Sequence, residues 1–282
     1  MLLAVFFATG LIAGTIDAIA GGGGLITVPI LLGLGLPPQL ALGTNKLQSV
    51  CGTAVAAFSY YRKGWLGRQG LLKGMLVSIC GSIFGACSVQ IIANDQLQRI
   101  IPVLLLLVFT YVIFCPRLGL QDEKPKWNLN LFYLIFGTAL GFYDGFLGPG
   151  AGGFWGFLLM YLLGYNLLKA TAYTKFFNVC SNLAALFCFI IGGNVDYRIG
   201  LIMACGQLIG GRLGAHLAMK KGTQLIRPLF LMMMLAAILT LLYHDDSEWT
   251  SPYRLSFILA FVLIALSYGW KMRKTKLLTE GV

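Results

Sequence analysis

Two aspartates and two lysines lie in long, otherwise apolar stretches of the sequence. Asp17 is the only charged residue before Lys46, and Asp144 lies alone in a second uncharged stretch, ahead of Lys175. An ionisable group within a membrane span costs about 2.5–3.5 kcal/mol even on lenient scales, so such groups are rare unless they have a function. A lysine there can neutralise an anion, and a carboxylate can carry a proton. These four residues therefore indicate a site that handles a small charged solute.

Each aspartate is followed directly by a glycine cluster. The first cluster is Gly21–Gly24, and the second, "GPGAGG", spans 148–153 and contains Pro149. Glycine permits unusual backbone angles, and proline cannot continue a hydrogen-bonded helical turn, so we expect one helix to end and another to begin at each cluster. The N–H groups exposed at such a helix start favour an anion. Close helix packing is the alternative explanation for the glycines.

The lysines lie in two polar segments, "TNKLQS" at 44–49 and "YTKFFN" at 173–178, which we expect at the mouths of equivalent helices. The alternative for the lysines is that they extend to a head-group boundary. For the aspartates it is capping of the following short helix, or an ion pair with Lys46 or Lys175. The predicted substrate-binding residues are Gly21, Gly22, Gly23, Gly24, Asn45, Lys46, Ser49, Gly148, Gly150, Thr174, Lys175 and Asn178, with Asp17 and Asp144 as coupling or structural carboxylates.

The composition requires a membrane protein to hold this site. Of the 282 residues, 58% are hydrophobic and 11% are charged, whereas soluble domains carry about 25% charged residues. Several apolar runs have the length of about 17–25 residues that a membrane-spanning helix needs. We therefore predict an all-α integral membrane protein. Its helices are expected near 2–20, 24–36, 47–61, 69–92, 98–115, 129–147, 153–165, 176–192, 199–218, 226–243 and 253–270.

The two halves of the chain form an internal repeat. "GLIAGTIDAIAGGGG" at 10–24 matches "GTALGFYDGFLGPGAG" at 137–152 with an offset of 127 residues, and "GSIFGA" at 81–86 matches "GGRLGA" at 210–215 with an offset of 129. This register predicts one polytopic membrane domain over 1–282. Repeat 1 covers about 1–115, a connecting loop 116–128, repeat 2 about 129–243, and a final transmembrane helix 253–270.

The charges in the loops predict the orientation of each half. The tail at 271–276 carries four basic residues, which places the C-terminus in the cytoplasm, and the acidic "HDDSEW" at 244–249 then faces outward. Counting helices back from there puts "GGNV" at 192–195 outside, whereas its basic counterpart "YRKG" at 61–64 belongs inside. The repeats are therefore expected to be inverted. The short segments 24–36 and 153–165 either cross the membrane or re-enter it.

Other functional classes lack support in the sequence. The net charge of +11 comes from basic residues at helix ends rather than on one polar face, so we expect no nucleic acid partner. The seven cysteines have no metal or disulfide spacing. We see no phosphate-binding loop and no catalytic constellation, and we expect no cofactor, no metal and no enzymatic activity. A passive anion channel, or an intramembrane enzyme or assembly factor, remains the alternative to a transporter.

The motifs "GTIDAIAGGGGLITVP", "ALGTNKLQS", "GFYDGFLGPGAG", "ATAYTKFFNVCSN" and "GQLIGGRLGA" resemble the TauE/SafE (TSUP) family of sulfite exporters, and most closely its YfcA-like branch. The resemblance covers about residues 5–243. It implies a multi-pass transporter of the bacterial inner membrane that moves small anionic sulfur or organic compounds, driven by an ion gradient. We place the solute at the interface of the two repeats. Substrate identity, direction of transport, coupling ion and oligomeric state stay open.

Overall fold

A computed structural model describes residues 2–67, 70–98, 100–101 and 121–221. The chain divides into two compact units, 1–238 and 239–282, and all of the described residues lie in the first. Several predicted segments fall outside the described residues. These are the helix near 226–243, the final helix at 253–270, most of the helix near 98–115, and residues 116–120 of the connecting loop.

The described residues form helices and connecting turns, with no β-strand among them, which confirms the all-helical prediction. The helices used below are α1 (Leu2–Ala20), α2 (Gly24–Gly33), α3 (Pro38–Arg62), α4 (Leu71–Ile91), α5 (Leu129–Phe132), α6 (Thr138–Phe146), α7 (Ala151–Leu163), α8 (Leu167–Ile191) and α9 (Tyr197–Lys221). A π-helical turn, Tyr133–Gly137, joins α5 to α6.

Helices α1, α4 and α8 are long and apolar enough to cross a membrane. Helices α2 and α7 contain 10 and 13 residues. At a rise of 1.5 Å per residue they are about 15 and 20 Å long, which is shorter than a hydrocarbon core of about 30 Å. Each half therefore contains one half-length helix directly after a glycine cluster.

Helices α3 and α8 begin nine residues earlier than predicted, at Pro38 and Leu167 instead of near 47 and 176. Pro38 suits the first turn of a helix, where its missing N–H costs nothing. At the start of α8, the Asn166 side chain accepts a hydrogen bond of 3.0 Å from the Lys169 amide. The expectation that Lys46 and Lys175 stand at helix mouths is therefore wrong, because both lie about two turns inside their helices.

The helix contacts of one half recur in the other. Helix α1 packs along α9, and α6 packs along α4. Gly214 lies against the carbonyl of Thr15, and Gly85 lies against the carbonyl of Phe142, so that a Cβ at either glycine would clash with backbone. Thr15 and Phe142 differ by 127 residues and the two glycines by 129, as in the sequence repeat. The glycines of "GSIFG" and "GGRLG" therefore serve close packing, while the inverted orientation stays a prediction.

Candidate solute site

The two glycine clusters break their helices, as predicted, and the breaks touch each other. Helix α1 ends at Ala20 before α2 begins at Gly24, and α6 ends at Phe146 before α7 begins at Ala151. A Cβ built on Gly21 would lie only 2.5 Å from the Cα of Gly152. Gly21 and its counterpart Gly148 have φ values of +79° and +94°. Glycine is needed at both positions, because other residues rarely adopt this left-handed conformation.

The first ion pair of the site joins α3 to α6. Lys46 Nζ lies 2.8 Å from Asp144 Oδ1, and both side chains are at most 3% exposed. Lys46 also donates to Asn182 Oδ1 at 2.9 Å and to the main-chain carbonyl of Asp144. The other carboxylate oxygen, Asp144 Oδ2, accepts a hydrogen bond from the Ser181 hydroxyl. This pair is therefore buried and hydrogen-bonded on both sides, the condition under which a buried ion pair is tolerated.

The second ion pair joins α8 to α1. Lys175 Nζ lies 3.0 Å from Asp17 Oδ2, with side-chain exposures of 0% and 13%. Asp17 Oδ1 also accepts a hydrogen bond of 3.3 Å from the amide of Gly23, just before α2. Each pair thus connects the lysine of one half to the aspartate of the other. Both aspartates follow the ion-pair alternative, Asp17 in addition binds the start of α2, and neither lysine reaches a head-group boundary.

A polar cavity of about 20 Å³ lies where the breaks and the ion pairs meet. Its lining consists of Asp17, Gly21, Gly24, Asn45, Lys46, Ser49, Asp144, Gly148, Gly150, Asn178 and Asn182. This volume holds about one water molecule. The predicted residues outside the lining are Gly22, Gly23, Thr174 and Lys175. Of these, Lys175 still reaches the cavity through its ion pair with Asp17.

Asn182 and Ser181 are site residues that the sequence reasoning missed. Asn182 lines the cavity, and Ser181 binds Asp144. The signal for Asn182 is its spacing, since Thr174, Asn178 and Asn182 follow at intervals of four residues and so share one face of α8. Ser181 has no comparable signal, because only its contact with a helix of the same half, across the second break, reveals its role.

A group of buried polar side chains extends from the cavity between α2, α3 and α9. The Asn45 amide oxygen accepts hydrogen bonds from Thr27 Oγ1 and, at 2.9 Å, from Gln48 Nε2. Gln48 Oε1 in turn accepts a hydrogen bond of 3.2 Å from Gln207 Nε2. Thr27 and Gln207 were not predicted to belong to the site. Gln207 is 159 residues away from Gln48 along the chain, so no local pattern could connect them.

The charged groups of the site balance. Two lysines and two aspartates sum to a formal charge of zero, so an anion that enters can use a lysine only in competition with its carboxylate partner. Neutral donors are also present in the lining, namely the Asn45, Asn178 and Asn182 amides. Among the described residues, no group of three or more His, Cys, Asp or Glu side chains could hold a metal ion.

Comparison with known proteins identifies the family. The model of the family "Sulfite exporter TauE/SafE" matches residues 6–241. A "probable membrane transporter protein" of Haemophilus influenzae is 40% identical over 88% of this chain and 96% of its own length. The "probable membrane transporter protein YfcA" of Escherichia coli K12 is 40% identical over 88% of this chain and 92% of its own. YdhB of Bacillus subtilis, also named a probable membrane transporter protein, is 27% identical over 76% and 88%.

Comparison with solved structures gave no significant match. The family match spans most of the chain, including both glycine breaks, both lysines and both aspartates of the site. The helical architecture, with long apolar helices, agrees with the transporter names of the relatives. The chain is therefore a member of the TauE/SafE family of membrane transporters.

Proposed function

We propose that this protein is a secondary transporter of the bacterial inner membrane that moves a small anion, a sulfur-containing oxyanion or an organosulfonate. The two repeats are inverted, and the solute binds at their interface, in the cavity between the glycine breaks. Lys46 and Lys175 neutralise the anion, while the backbone N–H groups at the breaks and the asparagine amides of the lining bind its oxygens. The C-terminus lies in the cytoplasm.

The observation that carries this proposal is the pair of crossed ion pairs around one polar cavity. Lys46 and Lys175 are buried cations at related positions of the two halves, and buried ionisable groups in membrane proteins mark solute or proton pathways. Each lysine is bound to a carboxylate that a competing anion can replace. A sulfur oxyanion fits this chemistry, and the name of the matching family, a sulfite exporter family, supports that solute class.

Asp17 and Asp144 supply a way to couple transport to protons. When an anion takes the place of a carboxylate on its lysine, the released carboxylate would be a buried, uncompensated charge. Protonation removes that charge, so anion binding and proton binding favour each other. The protein then moves an anion together with a proton, and a proton gradient drives the flux.

The test is uptake into proteoliposomes. Purified protein is assayed with labelled sulfite, thiosulfate and a sulfonate, for wild type and for Lys46→Met/Asp144→Asn, which removes both charges of one pair without leaving either alone. We expect accumulation of at least one sulfur anion by wild type and none by the double variant. If no sulfur anion moves under any gradient, or if the double variant transports normally, the proposal is refuted.

A carrier and a passive channel predict different kinetics. The cavity of about 20 Å³ is closed around the volume of about one water molecule, which favours a carrier that opens to one side at a time. Preloading the vesicles with unlabelled substrate therefore should accelerate the entry of labelled substrate, and the effect should saturate. Flux that rises linearly with concentration and shows no such counterflow would support a channel instead.

A further inference from the structure

The two approaches to the cavity differ in chemistry, although the repeat relates them. We infer that water and solute reach the cavity through the polar column formed by Thr27, Asn45, Gln48 and Gln207, and that Phe177 closes the equivalent approach in the other half. This inference rests on the proposed transport function and specifies how its site is entered.

The polar column begins at the cavity and leads away from it along α3 and α9. Asn45 lines the cavity, and Gln48 is bound to Asn45 on one side and to Gln207 on the other. The amide oxygen of Gln207 has no hydrogen-bond partner among the described residues, although the residue is only 1% exposed. A buried acceptor without a partner costs about 1–3 kcal/mol, which a water molecule or a passing solute can offset.

A thin apolar layer lies beyond the outer end of the column. Gln207 packs against Gly14 of α1, and one helical turn further along the same pair of helices Met203 packs against Gly10. Met203 belongs to a small cluster of four buried residues, with Phe6, Leu31 and Ala41. The column is thus separated from the side on which α1 begins by a layer about one turn thick.

The repeat offsets locate the corresponding positions in the other half. Thr27 corresponds to Phe154, Asn45 to Thr174, Gln48 to Phe177 and Gln207 to Ser78. The structure supports the last assignment, because Gly141 packs against Ser78 as Gly14 packs against Gln207. Two of the four polar residues are therefore replaced by phenylalanine.

The two polar residues that remain there are not joined to each other. The hydroxyls of Thr174 and Ser78 are buried and have no hydrogen-bond partner among the described residues. Phe177, the counterpart of the central Gln48, is fully buried. No polar chain comparable to the column leads away from the cavity on this side.

Phe177 sits in an aromatic block that begins close to the cavity. Its ring centroid lies 4.7 Å from that of Trp155 and 5.5 Å from that of Tyr133. A Cβ built on Gly74 would lie 2.6 Å from the Phe177 ring, so the ring fills the space beside α4 that Met203 leaves to the column in the other half. Apolar constrictions of this kind exclude water and close a pathway.

The experiment measures access to the cavity directly. In full-length protein in detergent, with the seven native cysteines replaced, Ser49→Cys places a thiol on the cavity wall. Its reaction with the small anionic reagent 2-sulfonatoethyl methanethiosulfonate is followed by intact-protein mass spectrometry. Because detergent leaves both faces of the protein open, the result does not depend on orientation.

Drying the column should slow the reaction. We expect Gln48→Leu/Gln207→Leu to reduce the labelling rate by about tenfold or more, because the apolar side chains close the route. Adding Phe177→Gln should restore most of the rate by opening the other approach, which also shows that the double variant is folded. Ser78→Ala, the matched control at the position equivalent to Gln207, should label like the parent. If the double leucine variant is not monodisperse, Gln207→Met replaces it.

Three results would overturn the inference: no labelling of Ser49→Cys in the parent, an unchanged rate in the column variant, or no recovery with Phe177→Gln. Labelling requires no transport, so the two proposals can fail separately. Expected labelling without movement of any sulfur anion would refute the solute class alone, and transport with labelling that ignores the column would refute the access route alone.

Discussion

Removing one partner of the Lys46–Asp144 pair should destabilise the protein strongly. Lys46→Met keeps the length of the side chain but leaves the Asp144 carboxylate buried at 3% exposure, with the Ser181 hydroxyl as its remaining side-chain donor. Breaking a buried ion pair in this way costs about 3–5 kcal/mol. Asp144→Asn, added to Lys46→Met, removes the isolated charge, so the double variant should recover most of the loss.

The assay is thermal unfolding of the detergent-solubilised protein, followed by tryptophan fluorescence. At roughly 2–4 °C per kcal/mol for a chain of this size, the expected loss for Lys46→Met corresponds to a fall in Tm of about 6–20 °C. Lys169→Met is the matched control, because Lys169 and Asp122 are 3.9 Å apart with exposures of 34% and 53%. Exposed pairs contribute about 0–1 kcal/mol, so this Tm should change little.

The same measurement ranks the two site pairs. Lys175→Met should lower Tm less than Lys46→Met, because the orphaned Asp17 keeps the hydrogen bond from the Gly23 amide and is partly exposed. The reasoning fails if Lys46→Met and its double variant have the same Tm, since the loss would then come from packing rather than from an isolated charge. It also fails if the Lys169 control falls as far.

The remaining predictions concern the glycine break and the carboxylates. Gly152→Ala should abolish uptake of labelled sulfite and lower Tm, since its Cβ would lie 2.5 Å from the Cα of Gly21, whereas Gly156→Ala, whose nearest neighbour would be 3.9 Å away, should leave both unchanged. Asp17→Asn and Asp144→Asn should abolish uptake driven by a pH gradient, because an amide cannot exchange a proton at these pH values. Normal pH-driven uptake by both amide variants would remove the carboxylates from the coupling mechanism.

Local sequence signals were sufficient for the helix breaks and insufficient for the partners. Gly21 and Gly148 could be identified because a glycine cluster after an apolar run ends a helix for reasons of backbone geometry alone. The starts of α3 and α8 were misplaced because a lysine within an apolar segment was read as a helix end. Its partners make it tolerable inside the helix, and they come from the opposite half, 98 and 158 residues away.

The repeat could have predicted the crossing of the pairs, had contact been considered between halves rather than within them. A lysine and an aspartate of the same half are separated by a helix break and lie on different helices. When two related halves pack around an approximate two-fold axis, each lysine meets the aspartate of the other half, and the exchange occurs twice. The asymmetry between Gln48 and Phe177 follows from no such rule, because the repeat constrains the backbone and leaves side chains free to diverge.

Charge and volume together tie solute binding to a conformational change. In the closed form the four charges cancel and the cavity holds about one water molecule, so an oxyanion of four or more heavy atoms needs both space and a free cation. Space requires the breaks to separate where Gly21 meets Gly152, and a free cation requires a carboxylate to leave its lysine. The breaks carry both aspartates, so moving them apart lengthens the ion pairs at the same time. A single motion then supplies both conditions, and under the proposed mechanism the anion stabilises the state in which Asp17 or Asp144 takes up its proton.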